Sequence, residues 1–562
     1  VTVAGEGGLR ALVALSRCED LELRILAAGA LRHLSLNTRV KRPMVEEGAL
    51  GSILRRGTDS PDLLCQCAGT ISNLAEDARN QVTLVKDNIM PRLIILSGVD
   101  DESVRVDVSR AYASISSNAQ CQIGVFNTDD LRAVFSLAGS PEEKCARDAA
   151  ITLGNLAVVT RNQANITDAG GLLPLITMIG SNPYVSCQKF AGRALYRLAA
   201  HGDNKPRMVA AEAIPPLVQR LRSPDAEVAR FSAMALCNLS THVDCKTTLI
   251  SLHGLPPLIE MLDGESDLVK RYVAMTLCNL STLAANQVHI VKAGALPALV
   301  RLTALGREKL DVSRYCGMTL SNLACHRQNR VPVVQAGGLK PLCDMAFDGE
   351  RLEMQRAAGL ALYNLSCSAA NQLTMAESGC PASLIRLTSC PDVDCKRLAV
   401  MTLCNLTANA ETRGVATRGG GLQAAVKLTM DGDGECRRYA ATCVCNMAND
   451  HQMQLQVVVH GGLPPIMAMA TSNDSNDQRH AAMALGNIAA NEGNHPQLVA
   501  RGAIQALVAL SKSLEVDVRE YAGFALANLA SNADYLDAIG AKGGIGPLVN
   551  LAGSANVHTQ AS

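Results

Sequence analysis

Residues 231–240 read FSAMALCNLS, and residues 272–281 read YVAMTLCNLS. The same phrase, small residues or Met followed by Leu, a variable residue, Asn and Leu or Ile, returns around Asn322, Asn364, Asn405, Asn487 and Asn528. With the Asn as the reference column, its occupants along the chain are His33, Asn73, Ser114, Asn155, Arg197, Asn238, Asn279, Asn322, Asn364, Asn405, Asn446, Asn487 and Asn528. Neighbouring members stand 40 to 43 residues apart throughout. So steady a period marks a tandem array of one supersecondary unit that buries its apolar face against its neighbours.

Each unit reads as three helices. The first begins near a polar pair such as Asn80-Gln81, Asn286-Gln287 or Asn371-Gln372, where Asn is suited to cap exposed amides, and it ends on Gly254, Gly294, Gly337 or Gly502, suited to a left-handed turn. The second follows at once, with Pro256, Pro257, Pro464 and Pro465 in its first turn, where no amide hydrogen is needed. A short polar turn such as Ser223–Ala226 then opens the long third helix that carries the Asn column.

At 562 residues the chain exceeds what one globular core supports, a limit that a repeat array escapes. Its 52 basic and 52 acidic side chains cancel, so no global field draws it to nucleic acid or an anionic membrane. Aromatic residues make up only 3% and Trp is absent, which favours closely packed helices over a β-sandwich. The twenty Cys lie mostly within apolar helical runs and fit a reducing cytoplasm or nucleus better than a secreted scaffold. No apolar run reaches the roughly 18 residues of a membrane span. The opening Val1-Thr2-Val3-Ala4-Gly5 has neither initiator Met nor basic leader, as expected of part of a longer protein.

The glycine between the first two helices, the GLPPL start of the second and the ALxNL core of the third together resemble the armadillo family, over essentially the whole chain. The resemblance implies an all-α, right-handed superhelical solenoid of about 13 three-helix repeats. Residues 1–39 would form a partial first repeat, 40–534 twelve repeats, and 535–562 a first helix and the start of a second. The family spans junctional catenins, nuclear import adaptors, vacuole-surface adaptors, axonemal proteins and ubiquitin ligases, so the fold alone selects no function.

Helical geometry decides which face of the third helix is free. At about 100° per residue, the Leu two before the Asn and the small residues five and six before it share a buried arc; the Asn and the positions four and eight before it lie opposite. The position eight before reads Arg147, Lys189, Arg230, Arg271, Arg314, Arg356, Arg397, Arg438 and Arg479, basic in nine consecutive units. A row of Asn155, Asn238, Asn279, Asn322, Asn364, Asn405, Asn446, Asn487 and Asn528 can hydrogen-bond the backbone of an extended peptide, and a parallel row of cations attracts Asp, Glu or phosphate on it. The resemblance identifies this face as the concave groove. Two other roles stay open. Glu227, Asp311, Glu353, Asp394 and Glu435 each precede an Arg by three residues and could pair with it along the helix; the Asn residues could hydrogen-bond between repeats.

Nuclear import adaptors place Trp four residues before the groove Asn. Here that column reads Ile151, Arg193, Met234, Met275, Met318, Leu360, Met401, Thr442, Met483 and Phe524, so a basic cargo signal finds no aromatic cage. The Met residues offer either an adaptable groove wall or cover for the next repeat. No phosphate-binding glycine loop occurs, Gly419–Gly421 being a helix joint, and the pairs Cys65/Cys67 and Cys443/Cys445 diverge too far to share a metal. Cys237, Cys278, Cys404 and Cys445 read as packing residues. The expectation is a non-enzymatic scaffold with no catalytic residue, metal or cofactor, binding an extended acidic or phosphorylated protein segment. The alternatives are a brick of a large cytoskeletal or ciliary assembly, and the recognition part of a larger enzyme such as a ubiquitin ligase.

Overall fold

The computed structural model describes residues 7–53, 60–347 and 351–552. Val1–Gly5 and the last ten residues, which bear on the reading of the termini, lie outside them. Among the described residues every regular element is a helix. The chain divides into two compact units, 1–286 and 287–562, each described by itself.

In the first unit a complete repeat is Val243–Ser251, Leu255–Met261 and Asp267–Ser281; in the second it is Ala369–Glu377, Cys380–Thr388 and Val393–Ala408. Within each unit every long helix packs against the long helix before and after it, the layering of an α-solenoid. The buried arc is as the periodicity predicts: Leu195, Leu236, Leu362 and Leu403, two residues before the column, are fully buried, as are Ala191, Ala233, Ala274 and Ala358. Small residues are required there. A Cβ on Gly192 would stand 3.2 Å from the Cβ of Phe231, on the next long helix.

Helix starts follow the sequence. Asp225 accepts from the amides of Glu227 and Val228, and the paired prolines occupy the first turns of Leu255–Met261 and Leu463–Ala470.

Three local expectations need correction. The Asn of the Asn-Gln pair does not cap its own helix; Asp77 caps Ala78–Lys86. Asn80 instead donates its amide to the carbonyls of Leu74 (3.3 Å) and Lys41 (3.1 Å). Asn204 does likewise to Leu198 (3.1 Å) and Gln163 (3.0 Å), and Asn371 to Leu365 and Arg330, both at 3.1 Å. The Gln beside it serves the next carbonyl, Gln81 bonding Ala75 (3.0 Å) and Gln372 bonding Ser366 (2.9 Å). These amides satisfy carbonyls that a long helix leaves orphaned at its C-terminus.

Gly254 is not left-handed, its φ being −71°; the preceding His253 takes that conformation at φ 54°. Glycine is needed at 254 for clearance, because a Cβ there would lie 2.6 Å from the Leu249 side chain. The fourth unit also lacks its first helix. Cys121 stands in the column of Asn80, Asn162 and Asn204, but Cys245 fills that column in a unit that keeps its first helix; what sets the fourth unit apart is the Asn127/Asp130 capping box, which starts Thr128–Ala138 early and leaves only turns and bends between Ser116 and Thr128.

Asn204 is fully buried and serves two carbonyls from one amide. Asn204→Ala is expected to lower stability by roughly 1–3 kcal/mol in urea denaturation, the cost of stranding buried polar groups. An unchanged midpoint would mean that these bonds contribute nothing.

Candidate functional site

On each long helix the reference position and those four and eight residues before it share the side opposite the buried arc. In the first unit Ile151, Arg193, Met234 and Met275 are half-buried, as are Met318, Met401, Met483 and Phe524 in the second. No helix among the described residues is long and apolar enough to cross a membrane, and no group of three or more His, Cys, Asp or Glu among them is arranged to hold a metal ion.

The Asn column is also half-buried, with Asn446 nearly closed off. Each side chain leans back on the preceding repeat. Asn155 donates to Ser116 Oγ (3.3 Å), Asn238 to the Tyr196 carbonyl (2.9 Å) and Asn279 to Ser240 Oγ (3.0 Å). In the second unit Asn364 donates to Cys325 Sγ (3.5 Å), Asn405 to Ser366 Oγ (2.9 Å), Asn446 to the Cys404 carbonyl (3.4 Å), Asn487 to Asn449 Oδ1 (2.5 Å) and Asn528 to the Gly486 carbonyl (3.3 Å). Asn322 is half-buried. One amide hydrogen of each of the eight donors is thus engaged within the protein. Asn238 and Asn279 keep Oδ1 and the second amide hydrogen without a protein partner among the described residues.

The basic column is more heavily engaged than its sequence implies. Of the pairs three residues apart, Glu227 does meet Arg230, at 2.7 Å. Elsewhere the carboxylate comes from the following repeat: Arg314 meets Glu353 (2.5 Å), Arg356 meets Asp392 (2.5 Å) and Arg397 meets Asp433 (2.5 Å) and Glu435 (3.4 Å). This corrects the local pairing expected for Arg356 and Arg397. Their reach takes them to the N-terminus of the next long helix, where Asp392 and Asp433 also accept the amides of Cys395 and Cys436. A carboxylate fixed by a helix N-terminus offers a better-ordered partner than a mobile one on the same helix. The Arg356 guanidinium holds the Asp392 carboxyl well below the usual carboxylate range, and Arg397 does the same to Asp433.

Lys189 pairs with Glu227, and Arg147 with Asp148 at 2.8 Å. Arg271 lies over the Tyr272 ring, 6.0 Å from its centroid. Arg438 and Arg479 are exposed and make no ion pair among the described residues; Arg438 lies over the ring of Tyr439 at 5.1 Å. Arg479 borders a hollow of about 380 Å³ with Arg413, Asn446, Asn449, Met483, Asp517 and Tyr521. Aromatics directly following the basic residue, Phe231, Tyr272, Tyr315 and Tyr439, recur beneath the guanidinium groups. That Arg-aromatic dipeptide is visible in the sequence and was the missed signal.

The cysteines pack. Burial pushes the Cys237 thiol up to about 11 and Cys445 higher still. Cys443 faces Thr407 and Cys445 faces Met469, so the two diverge as their spacing predicts.

An armadillo/beta-catenin-like repeat model matches residues 242–282 and 326–367, and a HEAT-like repeat model matches residues 475–529. The chain is of the armadillo-repeat type. An engineered protein solved by the Northeast Structural Genomics Consortium is similar to this armadillo chain over 72% of its length and 100% of the engineered one, at 26% identity and a TM-score of 0.58. A structure from work on a conserved phosphorylation switch controlling the interaction between cadherin and beta-catenin covers 93% of this chain and 98% of its own, at 15% identity and a TM-score of 0.59. At that identity the likeness is one of fold.

Because Asp392 and Asp433 are held below their ordinary pKa, their armadillo-repeat bridges stabilise fully above about pH 4 and fail as pH falls through the lower folded values. Asn preserves an N-cap without the charge. The melting temperature of the native chain is therefore expected to exceed that of the Asp392→Asn, Asp433→Asn variant at pH 7, with the gap closing below about pH 4. A gap independent of pH would contradict the assignment.

Proposed function

We propose that this armadillo chain is a non-enzymatic scaffold that holds an extended acidic segment of another protein against the wall formed by its long helices. The observation that carries the reading is the meeting, in one hollow of the second unit, of half-open Met483, of Asn446, whose amide alone is used within the protein, and of Arg479, which makes no ion pair among the described residues. A peptide backbone needs donors and acceptors at regular spacing, which Asn supplies. Its acidic side chains need cations that are not already neutralised, and Arg438 and Arg479 meet that condition in the second unit. Met accommodates varied apolar side chains between the charges.

The site residues are Asn155, Asn238, Asn279, Asn322, Asn364, Asn405, Asn446, Asn487 and Asn528, with the basic column from Arg147 to Arg479; Arg356 and Arg397 work chiefly to position the next helix. All twenty cysteines are free thiols, which supports a reducing compartment, the cytoplasm with its cytoskeletal and ciliary structures or the nucleus.

Charge reversal at the uncompensated positions tests the reading without breaking bridges. Labelled random-sequence peptides enriched in Asp and Glu are expected to bind the native chain, and Lys-enriched ones not. Arg438→Glu with Arg479→Glu is expected to weaken acidic binding about tenfold or more in fluorescence anisotropy. Undiminished binding would move the contacts to other faces, as in a purely structural brick.

A further inference from the structure

The long helix Val185–Leu198 departs from its neighbours at both wall-facing positions. Arg193 stands where most repeats carry an apolar side chain, and Arg197 where most carry Asn. The two are one turn apart on the same face. Arg193 Nη2 donates to Asn155 Oδ1 at 3.3 Å, its Nε is buried without a partner, and its guanidinium lies 4.9 Å from the centroid of Phe190. Arg197 Nη1 donates to the Gly154 carbonyl and its guanidinium lies 5.9 Å from the Tyr196 centroid.

Neither guanidinium has an ion-pair partner among the described residues. The carboxylate that acts on Arg193, Glu227, bridges Lys189 and Arg230 instead. Lys189, Arg193 and Arg230 therefore share one carboxylate, and Arg197 adds a further positive charge beside Arg193. Desolvation and the charge of Arg197 pull Arg193 below its ordinary pKa, so the pair is held together against its own repulsion. A monoanionic carboxylate offsets half of that charge. A dianion with three acceptor oxygens offsets all of it and can take bonds from both planar forks.

We propose that Arg193 and Arg197 form a subsite for a phosphate dianion carried on a side chain of the bound segment, with the aromatic faces of Phe190 and Tyr196 keeping the guanidinium groups in place. This rests on the scaffold reading above and deepens it, making the partner a phosphorylated peptide anchored in the first unit.

Labelled peptides of random flanking sequence with a fixed central phosphoserine, aspartate or serine, titrated into the full chain, test it. The phosphoserine set is expected to bind about tenfold more tightly than the aspartate set. Arg197→Asn, which restores the residue common at this column, and separately Arg193→Met are each expected to abolish the difference while retaining the native melting temperature. Arg161→Gln, at an exposed cation outside the proposed site, is expected to leave it intact. Equal binding of the phosphoserine and aspartate sets overturns the phosphate subsite and leaves the acidic-segment reading standing. Binding of neither set overturns both, and a preference that survives Arg193→Met and Arg197→Asn overturns its placement.

Discussion

The structure depends on side-chain amides that terminate backbone carbonyls. A long helix of 14 to 16 residues such as Val185–Leu198 or Val393–Ala408 ends with carbonyls that no further turn will satisfy. In this chain they are met by Asn and Gln from the first helix of the next repeat, and the same Asn often reaches the preceding first helix as well. One residue thereby fixes the turn within its repeat and the step between repeats. The reference Asn adds a second tie, from each long helix back to the one before. Buried amides must find partners, so a slip in register would strand several polar groups at once.

Register of this kind makes the wall. Helical periodicity puts the columns eight, four and zero on one side of each helix, and the inter-repeat bonds carry that side from helix to helix within a unit. Electrostatics then divides the basic column in two. At Asp392 and Asp433, which open the next long helix, the Arg is drawn into a bridge and its charge is spent on cohesion, whereas Asp474, which opens the helix after Arg438, makes no ion pair with it. Where a bridge is missing, at Arg438 and Arg479, the charge stays exposed; Arg193 and Arg197, half-buried in the two other columns, also have no ion-pair partner among the described residues. A row of like residues in sequence thus becomes a row of unlike sites.

Much of this was legible from sequence because it is local. The period, the buried arc of Leu and small residues, the prolines in first turns and the Asp that opens Ala226–Leu239 all follow from rules that act within a few residues. What was missed acts over some forty. Pairing of Arg356 with Glu353 is reasonable along one helix, but Asp392 lies closer once the repeats stack, held by a backbone amide of its own. Asn371 looks like a helix start, and only the stacked structure shows that the carbonyls it meets belong to other helices. The missing first helix of the fourth unit has no such mark in its column, since Cys121 there is matched by Cys245 in a unit that keeps the helix.

Pulsed electron-paramagnetic-resonance distances between spin labels at Met401 and Met483, two repeats apart in the second unit and introduced as non-cysteine labelled residues, test the register directly. With helices packed at 8–10 Å per step, the account predicts one peak near about 20 Å, no broader than the labels' own rotamers allow. A split or broad distribution would show that successive long helices are free to slip, and the wall would not exist as a common surface.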